Sequence, residues 1–106
     1  MLVVNRFRVP LAEGGAFRVD LEAALAVLAR QRGYADGQLG RNVDDPELWV
    51  LTTEWEGPGA YRRALSAYDV KLTAVPTLSR ALDEPSAYER VEPGEALNDP
   101  RSRSLG

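Results

Sequence analysis

The first third of the chain carries two hydrophobic patterns in succession. Residues 2–9 (LVVNRFRV) are rich in β-branched residues and precede Pro10, which is typical of a strand. After a loop at 12–15 the apolar period lengthens from Ala16 onward, as in an amphipathic helix. Gly33 follows, and glycine suits the left-handed residue that closes a helix. The helical stripe comprises Phe17, Leu21, Ala24, Leu25 and Leu28.

Two further strands are predicted in the middle of the chain. Residues 34–43 (YADGQLGRNV) form the weaker one, because its two glycines indicate a bend or bulge. Residues 44–46 (DDP) signal a turn, and residues 47–55 (ELWVLTTEW) form the clearest strand of the sequence. Trp49, Leu51, Thr53 and Trp55 share one face of that strand, and Leu48, Val50, Thr52 and Glu54 share the other. Both faces are substantially apolar, so both should be covered.

The last elements are a second helical region and a short strand. Gly57-Pro58-Gly59 ends the third strand, and Tyr61, Leu65, Tyr68 and Leu72 then recur at helical spacing. Pro76 interrupts this region, a helical turn is expected over 77–82, and residues 86–91 (SAYERV) are interpreted as a strand. We expect one domain over residues 1–92 and a polar tail over 93–106 that buries little.

The order β-α-β-β-α-β predicts a ferredoxin-like α+β fold, in which one antiparallel sheet carries its helices on one face. Helices can cover only one face of such a sheet, whereas the third strand is apolar on both faces. A second copy of the chain would cover the other face, and a two-fold dimer is the commonest arrangement. The sequence therefore predicts a homodimer.

Composition narrows the chemistry. The net charge is −3 with no long basic run, so nucleic acid is not an expected partner. The 106 residues include no Cys and no His, which excludes thiol chemistry and the commonest metal ligand, and we expect no metal site. No apolar stretch is long enough for a membrane helix, and Arg6 and Arg8 interrupt the first strand, unlike a signal peptide. A cytoplasmic location and no membrane partner are expected by default.

Three stretches carry a resemblance to a known family: VVNRFRV, DDPELWVLTTEWEGPGAYRRAL and SAYDVKLTAVPTLSRALDEP. Over roughly residues 1–91 the chain resembles the antibiotic biosynthesis monooxygenase (ABM) family of the dimeric α+β barrel superfamily. The resemblance implies an oxygenase that works without flavin or a bound non-haem metal, so no cofactor is expected. Quinone-forming enzymes of polyketide tailoring and haem-degrading monooxygenases are both known in this family.

Asn5 and Trp55 match family site positions on the first and third strands. The haem-degrading branch adds a His on the following helix, which this chain lacks, so haem breakdown is the less favoured activity. The quinone-forming branch pairs its Trp with an Asn four residues earlier, where Leu51 stands here. The resemblance implies that Asn5 and Trp55 are catalytic. Alternatively, Asn5 bonds a neighbouring backbone group and Trp55 is a core or interface aromatic.

Five further residues are predicted to contact substrate, although each is also explained by packing, and Trp49 in particular is interpreted as core. They are Phe7, Trp49, Tyr61, Leu65 and Tyr68. Two hypotheses of function remain open. The first is a cofactor-independent monooxygenase acting on a small, flat phenolic compound of polyketide type. The second is a non-catalytic dimeric module that binds a small aromatic molecule in the same fold.

Overall fold

The computed structural model describes residues 1–97, so most of the predicted polar tail at 93–106 lies outside the described residues. The elements follow in the predicted order, with one additional 3-10 turn before the first helix. They are β1 (Leu2–Arg8), the 3-10 turn (Leu11–Glu13), α1 (Gly14–Ala29), β2 (Tyr34–Arg41), β3 (Leu48–Trp55), α2 (Pro58–Ser66), α3 (Tyr68–Thr73), α4 (Val75–Leu78) and β4 (Ala87–Tyr88).

The sheet has four antiparallel strands in the order β2-β3-β1-β4. Strands β1 and β3 are the central pair, and their register places Asn5 opposite Leu51 and Phe7 opposite Trp49. This arrangement confirms the ferredoxin-like α+β prediction. Within residues 1–97, none of the helices combines the length and apolar character that a membrane span requires.

Strand β3 shows which face of the sheet lies under the helices. Its residues alternate between half-buried and buried, and the buried set is Trp49, Leu51, Thr53 and Trp55. These side chains join Val3 and Phe7 of β1 and the stripe of α1 in one core, in which Phe17, Leu21 and Leu28 are at most 1% exposed. The opposite face, with Leu48, Val50 and Thr52, remains half-exposed in the single chain.

The predicted second helical stripe is wrong beyond Leu65. Ala67 adopts an extended conformation (φ −68°, ψ 141°), which ends α2 and starts α3 in a new direction. As a result Tyr68 is 78% exposed and Leu72 61% exposed, instead of continuing the buried face. The last strand is also shorter than predicted, since only Ala87 and Tyr88 pair with β1.

The sequence predicts that Gly33 closes the first helix. Helix α1 instead ends at Ala29 with Arg30 as its C-cap, and Gly33 lies in the turn before β2. Its φ of +90° lies in the left-handed region that L side chains rarely adopt. Its carbonyl oxygen accepts a hydrogen bond from the backbone N–H of Glu56 at 2.8 Å. The start of β2 is thereby tied to the end of β3, where the site described below is built.

Candidate active site

An apolar groove of about 390 Å³ opens between the sheet and the helices that follow β3. Strand β1 contributes Asn5, helix α2 contributes Tyr61 and Leu65, and the α4 segment contributes Val75, Leu78 and Ser79. Helix α2 begins at Pro58, a residue whose fixed φ suits the first helical turn. With that start, Tyr61 and Leu65 stand one turn apart on the same side of the helix.

Asn5 is the polar residue that the sheet presents to the groove. It shares the helix-covered face of β1 with Val3 and Phe7 and is itself half-buried. The phenol of Tyr61 is close enough to this amide for the amide to lower the pKa of the phenol. Within residues 1–97 its amide has no hydrogen bond to a backbone group, which was the structural alternative for this residue. The amide is therefore available to the groove.

Tyr61 is held in its protonated form by its surroundings. Burial raises the pKa of the Tyr61 phenol above its ordinary value, and the contact with Asn5 offsets part of that rise. A phenol with a raised pKa is neutral at neutral pH. Tyr61 is thus a hydrogen-bond donor beside the Asn5 amide, and both groups face a groove whose other walls are mainly apolar.

Trp55 packs against Tyr61. The indole is 2% exposed, and its ring centroid lies 5.4 Å from that of Tyr61. Its Nε1–H donates to the hydroxyl oxygen of Thr53 at 2.9 Å. The N–H is therefore satisfied within the protein, and the ring fixes the position of Tyr61 by packing against it.

The ring of Tyr34 also packs against Trp55. The two rings meet edge to face at 87° with centroids 5.5 Å apart. Burial raises the pKa of the Tyr34 phenol, and the nearby carboxylate of Asp36 adds to the rise. Gly37 leaves room for this ring, because a Cβ at that position would stand 2.5 Å from the Tyr34 hydroxyl.

The structure separates the remaining predicted site residues from this groove. Phe7 is fully buried and packs on Phe17 (5.1 Å), which in turn meets Trp49 edge-on (5.7 Å) towards the far end of the central strands. Tyr68 stands exposed on α3 and is not among the residues that line the groove. Asn5, Tyr61 and Leu65 are brought together, and Trp55 contacts them through Tyr61.

Sequence reasoning missed Val75, Leu78 and Ser79 as lining residues. The sequence predicts that Pro76 interrupts the helical region and that a turn follows over 77–82, whereas α4 spans Val75–Leu78 with Pro76 in its first turn. Its position relative to the sheet depends on the break at Ala67, which the sequence pattern does not predict. Apolar residues on both sides of Pro76 were the available signal. Within the described part of the chain, no cluster of three or more His, Cys, Asp or Glu side chains is placed to hold a metal ion.

Comparison with known families decides the relationship. The model of the family "Antibiotic biosynthesis monooxygenase" matches residues 1–74, more than two thirds of the chain. The chain belongs to the antibiotic biosynthesis monooxygenase family. Its match ends just before Val75, so the segment that closes the groove lies beyond the part that the family model describes.

Solved structures agree with this assignment. SnoaB from Streptomyces nogalater, a cofactor-independent oxygenase, is 26% identical with a TM-score of 0.71, covering 89% of this chain and 96% of SnoaB. Rv0793 from Mycobacterium tuberculosis is 18% identical with a TM-score of 0.68, covering 89% and 97% of the two chains. A conserved protein from Methanosarcina mazei Go1 is 20% identical with a TM-score of 0.66, covering 81% and 84%. A search of the curated protein sequences found no match.

Proposed function

We propose that this ABM-family protein is a cofactor-independent monooxygenase that oxidises a small, flat phenolic compound of polyketide type. The observation that carries the proposal is the Asn5–Tyr61 pair, two hydrogen-bond donors facing an apolar groove. The similarity to SnoaB, a cofactor-independent oxygenase, supports the same class of reaction. An apolar groove with few polar groups is the usual form of a site for a flat organic ligand.

The reaction class that fits is the conversion of a ring methylene to a carbonyl. The substrate loses a proton to give an enolate, and the enolate transfers an electron to O₂. The resulting substrate radical and superoxide combine to form a C–O bond, and protonation then gives a hydroperoxide. Loss of water from the hydroperoxide gives the carbonyl, so one oxygen atom enters the product and the other leaves as water. The four electrons come from the methylene carbon, and no other reductant is required.

The protein's own residues stabilise and orient the reacting anion in this scheme. Asn5 and Tyr61 donate hydrogen bonds to the enolate oxygen, while Leu65, Val75 and Leu78 exclude water from the ring. Trp55 was predicted to contact the substrate directly. Because its N–H is bonded to Thr53 and its ring lies behind Tyr61, we assign it a positioning role.

The rate should depend on pH through the substrate. Among the described residues, no carboxylate, His or Cys lines the groove. Tyr61 has a raised pKa and stays protonated, so the groove contains no side chain that acts as a base near neutral pH. We expect kcat/KM to rise with pH as the substrate ionises, and to fall only when Tyr61 loses its proton. The check is a pH profile for two substrates of different acidity. The lower inflection should move with the substrate, whereas an inflection shared by both would indicate an enzymatic base.

Oxygen uptake tests the proposal directly. The purified protein is screened in an oxygen electrode against anthrones and polyphenols, with product identified by mass spectrometry in ¹⁸O₂. We expect one ¹⁸O atom in the product and activity that survives dialysis against a chelator. A haem titration runs in parallel. The chain has no His to ligate the iron, so we expect no stoichiometric haem binding. A stoichiometric Soret band followed by porphyrin loss on reduction would contradict the proposal in favour of haem breakdown.

The lack of a base in the groove also favours a second candidate, a non-catalytic module that binds the same class of ligand. Such a module would bind anthrones or related phenols without consuming oxygen. Saturable binding seen by fluorescence, together with oxygen uptake no faster than without protein, would favour the module over the enzyme.

We further propose that the protein is a homodimer joined through the open face of the sheet. Val50 lies at the centre of that face, half-buried and opposite Arg6 of β1. Val50→Arg would bury a charge without a partner in such an interface, so we expect a monomer where the parent protein is a dimer. Light scattering at micromolar concentration measures the mass. Val43→Arg is the matched control, because Val43 is 96% exposed on a loop; a parent protein that is already monomeric would overturn the proposal.

A further inference from the structure

Helix α4 has one side in the core and another side on the groove described above. Val75 and Leu78 of α4 and the adjoining Ser79 line the groove, and their i, i+3 and i+4 spacing places them on the same side of the helical turn. Ala74 and Thr77 share a different side and are 0% and 7% exposed. The core-facing residues therefore hold α4 in place, while the groove-facing residues are the ones that a ligand meets.

The segment that follows α4 ties this wall to the sheet. The backbone N–H of Leu82 donates to the carbonyl oxygen of Arg6 on β1 at 2.8 Å. The Arg6 guanidinium in turn donates two hydrogen bonds to the carboxylate of Glu84, at 2.7 and 2.8 Å. Arg6 is the next residue after Asn5 on β1, so the α4 wall is anchored beside the polar residue that the sheet presents to the groove.

The aliphatic side chains of α4 bear on the size of the groove. Val75 and Leu78 are half-buried, packing partly on the core and partly lining the groove. The groove volume of about 390 Å³ is near the lower end of the range of about 300–1,000 Å³ that is usual for ligand sites. The match to the family model ends at residue 74, so the family pattern does not determine which residues form this wall.

We propose that Leu78, with Val75 beside it, is a specificity-determining residue that restricts the groove to compact flat aromatic ligands. The proposal rests on the proposed function for the class of ligand. The donors Asn5 and Tyr61 bind the ligand oxygen, which short and long ring systems have in common, so they do not discriminate by length. Discrimination falls to the aliphatic wall, where one methylene of an apolar site typically changes specificity by about 10–200-fold.

Binding measured under nitrogen tests the proposal without turnover. Anthrone is the compact probe, and tetracenone, which has one more fused ring, is the long probe. Fluorescence titration gives a dissociation constant for each, and the ratio of the two constants is the readout. We expect the parent protein to prefer anthrone. Leu78→Ala should shift the ratio towards tetracenone by about tenfold or more, and Leu78→Phe should shift it the opposite way.

Two further variants separate the wall from general effects. Val75→Ala opens the same wall by fewer atoms and should shift the ratio in the same direction as Leu78→Ala, but by less. Leu72→Ala removes the same atoms as Leu78→Ala from a residue that is 61% exposed on α3 and does not line the groove, so it should leave the ratio unchanged. Thermal unfolding confirms that each variant is folded.

The outcomes distinguish this proposal from the proposed function. A ratio that does not change in folded Leu78 and Val75 variants, or that changes equally in Leu72→Ala, would overturn the role of the α4 wall even if oxygen uptake is observed. A ratio that follows the size of residue 78 without any oxygen uptake would support the wall and contradict the monooxygenase. Binding of neither probe by the parent protein would overturn both.

Discussion

Replacing Asn5 by Ala is expected to lower turnover by about 10²–10³-fold, the usual cost of removing one donor aimed at a developing oxyanion. Asn5 is half-buried on the face of β1 that meets the groove, and its amide is free of backbone partners within residues 1–97. The effect should fall on kcat more than on KM, because the charge it stabilises develops during the reaction. Steady-state oxygen uptake measures both constants once a substrate is identified.

Tyr61→Phe extends the same test, since it removes the second donor and keeps the ring that packs on Trp55. If Asn5 and Tyr61 act as one unit on the oxyanion, the double variant should be little worse than either single variant. Tyr68→Phe is the matched control, because that hydroxyl is on the exposed surface of α3. Circular dichroism should show the parent fold for the two single variants, the double variant and the Tyr68→Phe control.

Two results would contradict this assignment of roles. Full turnover by both single variants would remove Asn5 and Tyr61 from the reaction. An effect of Tyr68→Phe as large as that of Tyr61→Phe would mean that the continuous helical stripe predicted from the sequence describes the working site better than the groove does.

Much of the fold follows from residue periods. In β3 apolar residues on both faces predict a strand covered on both sides, and the helix-covered face proves to be that of Trp49, Leu51, Thr53 and Trp55. The break after α2 was not predictable in the same way. Ala67 has a good helical propensity, yet it is extended here because Val70 and Ala74 are buried when α3 takes its new direction. Tertiary packing outweighs local preference at that position.

The candidate site was predictable in part, for a related reason. Parity places Asn5 on one face of β1 together with Phe7, but it cannot say what lies opposite that face. The Asn5–Tyr61 contact depends on where α2 crosses the sheet, which the Gly57-Pro58 break and the tie from Gly33 to Glu56 determine. The engagement of the Trp55 N–H with Thr53 is an i, i+2 contact along one strand face. The sequence contains both residues, but rotamers decide whether they bond.

Gly33→Ala is expected to cause the largest loss of stability among single substitutions of the glycines within residues 1–97. Its φ of +90° disfavours any Cβ, which costs about 1–2 kcal/mol. The new Cβ would also stand 2.4 Å from the Cβ of Ala60, a residue only 4% exposed, and overpacking a core costs about 1–3 kcal/mol more. A loss of 1 kcal/mol lowers the melting temperature of a domain of this size by about 4–8 °C, so the melting temperature should fall by about 10 °C or more.

A second substitution separates the two causes. Ala60→Gly removes the atom that the new Cβ would meet, so Gly33→Ala in the Ala60→Gly background should cost only the backbone part, about 1–2 kcal/mol. Gly15→Ala is the matched control, because that position lies in the first turn of α1 with nothing within 4 Å, and it should leave the melting temperature unchanged or raise it slightly. Equal losses from Gly33→Ala in both backgrounds would show that steric overlap with α2 contributes nothing. The loss of stability would then come from the backbone conformation at Gly33 alone.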